Sequence, residues 1–418
     1  MAQDTWYRVD NVAKVFLASV NDRDPRTFRM TCTLKEEIDE ETLKKAVNLS
    51  VGERPQYQVT ILRGFFWHYM EHTDAEPVVE EEHDRICANL IDESSFGKLH
   101  YRVTYYHNRI NLEVSHAIAD GNGALEFLNL IVEKYLKIKH PDELGNLSMS
   151  TGTSEADLSQ DSFRQFYSKK KRKGKKQERK KAYHIKGMKH PYNQTQFLEV
   201  HMPVKDVLSK AKEMNVTLTT YVGTSLMMAI YKDMPLLSRT KPITLSMPVN
   251  LRNYYPSNTA RNFFNSVFVS HIFKNDDTFE SVAEKFQEDL KKELTPEAVA
   301  ERMYDYEKLE RLLFIRMVPL FIKNPVVNAF NRRSVRRVTA VLSNLGKLPI
   351  PPEVSDYVES YNAFCSTSSL FVVISSYKDE LVMGISSAYR NTQVLRDFLK
   401  SFSDNGIETT VYSTELIE

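Results

Sequence analysis

Apolar and polar positions change period along this chain in a way that marks out alternating strands and helices. TFRMTCTL (27–34) suits a pleated strand, and EETLKKAVNLSV (40–51) places apolar residues at helical spacing behind Asp39, a capping residue. QVTILRG (58–64) and FFWHYMEH (65–72) predict a strand pair. KLHYRVTYY (98–106) and INLEVSH (110–116) flank the polar turn His107-Asn108-Arg109 as the arms of a hairpin. ALEFLNLIVEKYLK (124–137) then reads as a helix, with a polar stripe at Glu126, Asn129, Glu133 and Lys137.

The theme returns after a break. FLEVHMP (197–203) predicts a strand, VKDVLSKAKEMN (204–215) and TLTTYVGTSLMMAIYKDM (217–234) predict helices, and ITLSMPVNL and NFFNSVFVSHI predict strands. A helical region from about 277 to 332 is followed by VTAVLSNL and a late hairpin. This mixed order predicts an α+β protein with two subdomains, each a mainly antiparallel sheet with helices. Their bounds are 1–145 and 194–418, joined by a polar, Lys-rich linker over 146–193. A faint repeat lays residues 106–128 over 377–399, which puts His116 opposite Ser387 and Asp120 opposite Asn391.

Composition changes this picture little. With 418 residues, 42% hydrophobic and 27% charged, the chain has the makings of packed cores and two domains. Three cysteines without paired spacing, Cys32, Cys87 and Cys365, point to free thiols and a cytoplasmic setting. The N-terminus has no signal-peptide pattern. Residues 312–330 are the most membrane-like, but Arg316, Pro319, Lys323 and Pro325 interrupt them, so a buried or lid-like helix is expected there.

Charge adds one feature. The net charge is +1, yet residues 169–181 hold ten Lys or Arg and one Glu. That run is a solvated linker or a contact for phosphate: CoA, an acidic carrier protein or an anionic lipid surface. It carries no interleaved aromatics and no motif for specific nucleic-acid binding.

The candidate chemistry lies in EVSHAIADGNG (113–123), where a strand runs into a helix. Ile110, Leu112, Val114 and His116 share one parity, so His116 ends the apolar row. Two readings stand: Asp120, Gly121 or Asn122 caps the helix and His116 is an ordinary core histidine, or His116 is a catalytic base. Two later stretches bear on the choice. Arg252 in PVNLR could pair with a buried Asp, and SNLG (343–346) also follows an apolar run.

His-x-x-x-Asp-Gly, then P-V-N-L-R, then S-N-L-G, in that order, resembles the CoA-dependent acyltransferases of the chloramphenicol-acetyltransferase fold. The condensation-domain and alcohol-acetyltransferase branch is the most similar. The resemblance implies two similar subdomains with an active-site tunnel at their junction. It implies His116 as general base, Asp120 and Arg252 as a structural salt bridge, and Gly121 as the motif glycine that lets backbone approach closely. Asn250, Ser343 and Asn344 become candidate substrate contacts, and Gly121 or the Ser343–Asn344 pair candidate oxyanion donors.

The implied reaction moves an acyl group from acyl-CoA or a carrier protein's phosphopantetheine thioester to a small-molecule alcohol or amine. No permanently bound cofactor or metal is implied, and a monomer is expected. An imidazole near its ordinary pKa of 6.5 would be largely neutral and ready to accept a proton. Condensation domains commonly carry two adjacent histidines; the first is Ser115 here, and the D-F-G-W-G motif of the plant branch is absent. The alternative function is an inactive, condensation-domain-like binding or scaffold protein.

Overall fold

A computed structural model of the chain describes residues 6–83, 85–91, 97–146, 160–166, 180–191, 194–310 and 317–414. Most of the Lys-rich run and part of the 312–330 segment lie outside these residues.

The first half contains β1 (Trp6–Arg8), α1 (Asn11–Ser19), β2 (Thr27–Leu34), α2 (Glu40–Glu53), β3 (Val59–Arg63), β4 (His68–His72), β5 (Val79–Glu81), β6 (Tyr101–Tyr106), β7 (Arg109–Ser115) and α3 (Gly121–Lys139). Two short helices follow, α4 (Pro141–Leu144) and α5 (Ser162–Gln165). The second half contains β8 (Gln196–Pro203), α6 (Val204–Glu213), α7 (Leu218–Asp233), β9 (Ile243–Asn250), β10 (Phe264–His271), α8 (Phe279–Glu293), α9 (Pro296–Glu310) and α10 (Leu320–Val335). It ends with β11 (Ala340–Lys347), β12 (Val358–Cys365), β13 (Leu370–Tyr377), β14 (Glu380–Ser387), α11 (Gln393–Asp404) and β15 (Thr410–Ser413).

These elements form an α+β protein of two subdomains. One sheet has the order β12-β2-β7-β6-β5, the other β10-β9-β11-β13-β14-β8-β15, and a small third sheet has the order β1-β4-β3. Most pairings are antiparallel; β5·β6, β9·β11 and β11·β13 are parallel. β12 comes from the second half of the chain yet pairs with β2, so each half contributes to the first sheet. Two large apolar cores result. One includes Leu112, Val114, Phe127 and Leu128, the other Val222, Leu226, Val372 and Phe398.

The internal repeat has a structural counterpart. β6–β7 and β13–β14 are both antiparallel hairpins with two-residue turns, and the first turn residue has positive φ in each: His107 at 50° and Lys378 at 52°. Each hairpin leads through a short link into a helix, α3 or α11.

The row of opposite parity on β7, Asn111, Glu113 and Ser115, is polar yet buried like the apolar row. Arg29 on β2 and Arg102 on β6 stand directly opposite Glu113 in register. Arg29 Nη2 lies 2.7 Å and Arg102 Nε 3.0 Å from its carboxylate, and the Cys87 amide donates to it at 2.6 Å. The Arg29 pair and the neighbouring amide hold the Glu113 carboxylate below its ordinary range against strong desolvation. The loop that closes over this face made it interior.

Candidate active site

α3 begins where β7 ends, and the link between them carries His116 to Asp120. Asp120 is the N-cap of α3: its Oδ1 accepts from the Gly123 amide at 3.0 Å. The same carboxylate accepts from Arg252 Nη1 at 2.8 Å and Nη2 at 3.2 Å, and from the Phe263 amide at 2.9 Å. The capping reading and the salt-bridge reading of Asp120 are therefore both true, because two oxygens have room for four donors.

Arg252 stands in a 3-10 turn just past β9. Its guanidinium also donates to the carbonyls of Thr259, at 2.6 Å, and Arg261, at 2.9 Å, so its fork is filled. Asn250 Oδ1 accepts from both the Arg252 amide, at 3.0 Å, and Nη1, at 3.1 Å. Its oxygen is therefore taken up in orienting Arg252.

Close backbone approach falls on a different glycine from the one the motif singles out. A Cβ on Gly121 would meet the flexible Met30 Cε at 3.2 Å. A Cβ on Gly123 would fall 2.0 Å from the Ala260 carbonyl oxygen. The backbone after Arg252 thus crosses the start of α3 with no room for a side chain at 123.

The His116 ring is enclosed by aromatics from three elements. Centroid distances are 5.0 Å to Phe16 of α1, 4.4 Å to Phe28 of β2 and 6.1 Å to Phe264 of β10. The His116 amide donates to the Arg26 carbonyl at 2.8 Å, with Arg26 itself at φ 55°. Asn262 Nδ2 donates to the His116 carbonyl at 2.8 Å and to Asp10 Oδ2 at 3.2 Å, which ties the motif to the cap of α1. Nδ1 is buried, and the Ala119 backbone and the Asn262 side chain lie against the ring.

Desolvation lowers the His116 pKa to about 4; the Asp120 charge opposes this, and Arg26 reinforces it. The expectation of an ordinary imidazole pKa is thereby corrected. The ring is neutral throughout the physiological range, for a reason that strand parity alone does not supply.

Ser343 and Asn344 lie on β11. Asn344 Nδ2 donates to Thr219 Oγ1 at 2.9 Å, and its Oδ1 accepts from the Gly346 amide at 2.8 Å, next to a bulge in the strand. The end of β11 does adjoin the motif: Leu345 Cδ2 would stand 3.6 Å from a Cβ on Gly121. A cleft at the junction of the halves is lined by Arg23, Arg85, Cys87, Thr195, Phe197 and Ser366, among others, and His116 is not part of its lining.

Phe264 faces His116, while Met227 and Met247 are buried in the second core and Met228 packs at its edge. Phe263 is buried beside Phe163. No feature of the sequence marked Asn262, Phe16 or Gly123; their partners are distant in the chain. Among the described residues, no group of His, Cys, Asp or Glu is arranged to hold a metal ion.

No family model matches the sequence, and no curated protein matches it. Solved structures do match. Polyketide synthase associated protein 5 from Mycobacterium tuberculosis superposes with a TM-score of 0.63 at 14% identity, covering 96% of this chain and 98% of that one. TRI101 of F. sporotrichioides, complexed with coenzyme A and T-2, gives 0.62 at 10% identity over 97% and 99%. The first condensation domain of the calcium-dependent antibiotic synthetase, in complex with a substrate analogue, gives 0.60 at 13% identity over 98% and 99%.

The chain shares the fold of these three structures, and the similarity runs the length of both subdomains. At these identities it establishes architecture, and chemistry has to be argued from the site.

Proposed function

We propose that the chain is an acyltransferase, moving an acyl group from a thioester of CoA or of a carrier-protein phosphopantetheine to a hydroxyl or amine. His116 is the general base. Its uncharged imidazole takes the proton from the acceptor O–H or N–H as that atom attacks the thioester carbonyl. The C–S bond then breaks, and the imidazolium returns the proton to the leaving thiolate, giving free thiol and ester or amide. With Nδ1 enclosed, Nε2 is the nitrogen left to meet the acceptor.

The observation that carries this reading is the pairing of a neutral, aromatic-walled histidine with a loop locked by Asp120 and Arg252. Fixed geometry is what base catalysis between two bound substrates requires. No acyl-enzyme is needed. All three cysteines are buried, and desolvation raises each thiol, Cys32 to about 12, so none offers a ready thiolate.

The rival reading, a binding protein without turnover, rests on Ser115 in the first histidine position. Ser115 is buried, and its Oγ accepts from the Ala117 amide at 3.2 Å, so its hydroxyl is engaged in the local turn.

Thiol release from a panel of acyl-CoAs and an acyl-carrier protein, with mixed alcohols and amines, tests the proposal. Turnover that falls by ~10²–10⁴ in a folded His116→Ala variant supports it. Equal turnover in the variant, or none with either donor class, overturns it.

A further inference from the structure

We infer that the face formed by the β3–β4 turn and α10 is a docking surface for anionic lipid bilayers. The turn is closed by the Gly64 amide donating to the Trp67 carbonyl at 3.0 Å, and it carries Phe65, Phe66 and Trp67. All three are exposed, Phe65 by 64%. The start of α10 is fastened to this tip. The Leu320 amide donates to the Phe65 carbonyl at 2.9 Å, Lys323 Nζ donates to that of Phe66 at 2.8 Å, and the Phe65 and Phe321 rings are 6.3 Å apart.

Along α10 the apolar exposure continues. Phe321, Ile322, Val326 and Phe330 all face outward, Phe330 by 70%. This departs from the buried helix, one of the two expectations for the region. Four large apolar side chains on one helix, next to an aromatic tip, mark a surface built to be covered.

Charge decides what covers it. Residues 317–337 contain Lys323, Arg332, Arg333, Arg336 and Arg337 and no Asp or Glu. The basic end of α10 is also where the chain returns from the Lys-rich stretch: the Ala182 amide donates to the Arg336 carbonyl at 3.2 Å, and Lys180 and Lys181 are exposed beside it. Protruding aromatics with a cationic border are the composition of a surface that sinks rings into the acyl boundary and sets cations against lipid phosphates. The aromatic tip protrudes, so it matches a deformable bilayer better than a folded protein's rigid surface. α1 packs against α10 and brings Phe16 to within 5.0 Å of His116, so this face adjoins the candidate site through one helix.

The chain has two tryptophans, Trp6 and Trp67, both exposed and both at the three-stranded sheet. Trp67 lies on the tip itself, so its emission reports on this face, while Trp6 stands opposite Glu71 farther along β4. The experiment is vesicle flotation with a parallel emission spectrum, using phosphatidylcholine with and without phosphatidylserine. The expected result is co-flotation and a blue shift with the anionic vesicles, weakening as salt rises.

A triple Phe65→Ser/Phe321→Ser/Phe330→Ser variant and an Arg332→Glu/Arg336→Glu variant should each bind about tenfold more weakly or worse, with unchanged circular-dichroism melts because the side chains are exposed. Absence of flotation, or flotation unaffected by both variants, overturns the inference. So does light scattering in which the serine variant turns a dimer into a monomer, or capture of an acidic carrier protein through this face with no vesicle binding. None of these readouts depends on catalytic turnover.

Discussion

Arg252 donates to both carboxylate oxygens of Asp120, at 2.8 and 3.2 Å, across a sequence separation of 132 residues. The pair joins the strand-to-helix link of one half to the turn after β9 of the other. Removing the carboxylate leaves a largely buried guanidinium without its counter-charge, which costs ~3–5 kcal/mol, and the lost cap adds about 1 kcal/mol.

Asp120→Ala should therefore lower unfolding stability in urea severely. A double-mutant cycle with Arg252→Ala should be strongly non-additive. Simple additivity of the two single losses would show that the pair does not act as a unit.

The two glycines of the motif should respond in opposite ways. Gly121→Ala presses closely only on a movable methionine end and meets Leu345 at ordinary contact distance, and alanine favours the helix by up to about 1 kcal/mol, so stability should stay close to wild type. Gly123→Ala drives a methyl into the Ala260 carbonyl and should prevent stable folding or shift α3. Thermal melts of the two variants decide it, and a Gly123→Ala protein as stable as wild type would refute the close crossing.

The His116 environment predicts an unusual acid limb. With the ring titrating at about 4, kcat/KM should stay flat from neutral pH down to about pH 5 and fall only below that. An inflection near the ordinary 6.5 would contradict the desolvated site. Stability follows the same proton. The unfolded chain binds it from pH 6.5 downward and the folded chain only near 4, so this contribution is whole above 6.5 and is lost as pH falls through that window.

His201 should behave with the opposite sign. Its ring lies 2.7 Å from Glu199 and 2.8 Å from Glu380, and despite desolvation the two carboxylates raise its pKa to about 9. Glu199 also holds Arg109 of β7 at 2.7 Å, linking the two subdomains. Stability from this charged histidine is full below 6.5 and lost as pH rises through 9. Melting temperatures of wild type and His201→Gln should diverge at pH 6 and converge above 9. Parallel curves across that range would remove His201 from the account.

Much of the architecture was legible locally. The hairpins around His107 and Lys378, the capped start of α2 at Asp39 and the helix after Asp120 follow from period, turn residues and caps, all of which act within a few positions. The Asp120–Arg252 pairing was implied by the resemblance of the three motifs to the acyltransferase family, and the two side chains do meet. Burial of Glu113 was not legible. A carboxylate in an alternating strand reads as solvent-facing until β2 and β6 bring Arg29 and Arg102 alongside it. Exposure of Phe321 and Phe330 was missed for the converse reason: apolar residues imply burial only when another element covers them.

The sequence by itself determined most of the strands and helices and their order, the histidine at a strand end and the helix cap beside it. These depend on backbone preferences and short-range hydrogen bonds, which the local residues supply. Only the tertiary structure decided that His116 is walled by Phe16, Phe28 and Phe264 and driven neutral, that Asn250 serves Arg252, and that Gly123 is the tight crossing. Desolvation and steric exclusion are properties of everything that surrounds an atom, and here those surroundings are assembled from both halves of the chain.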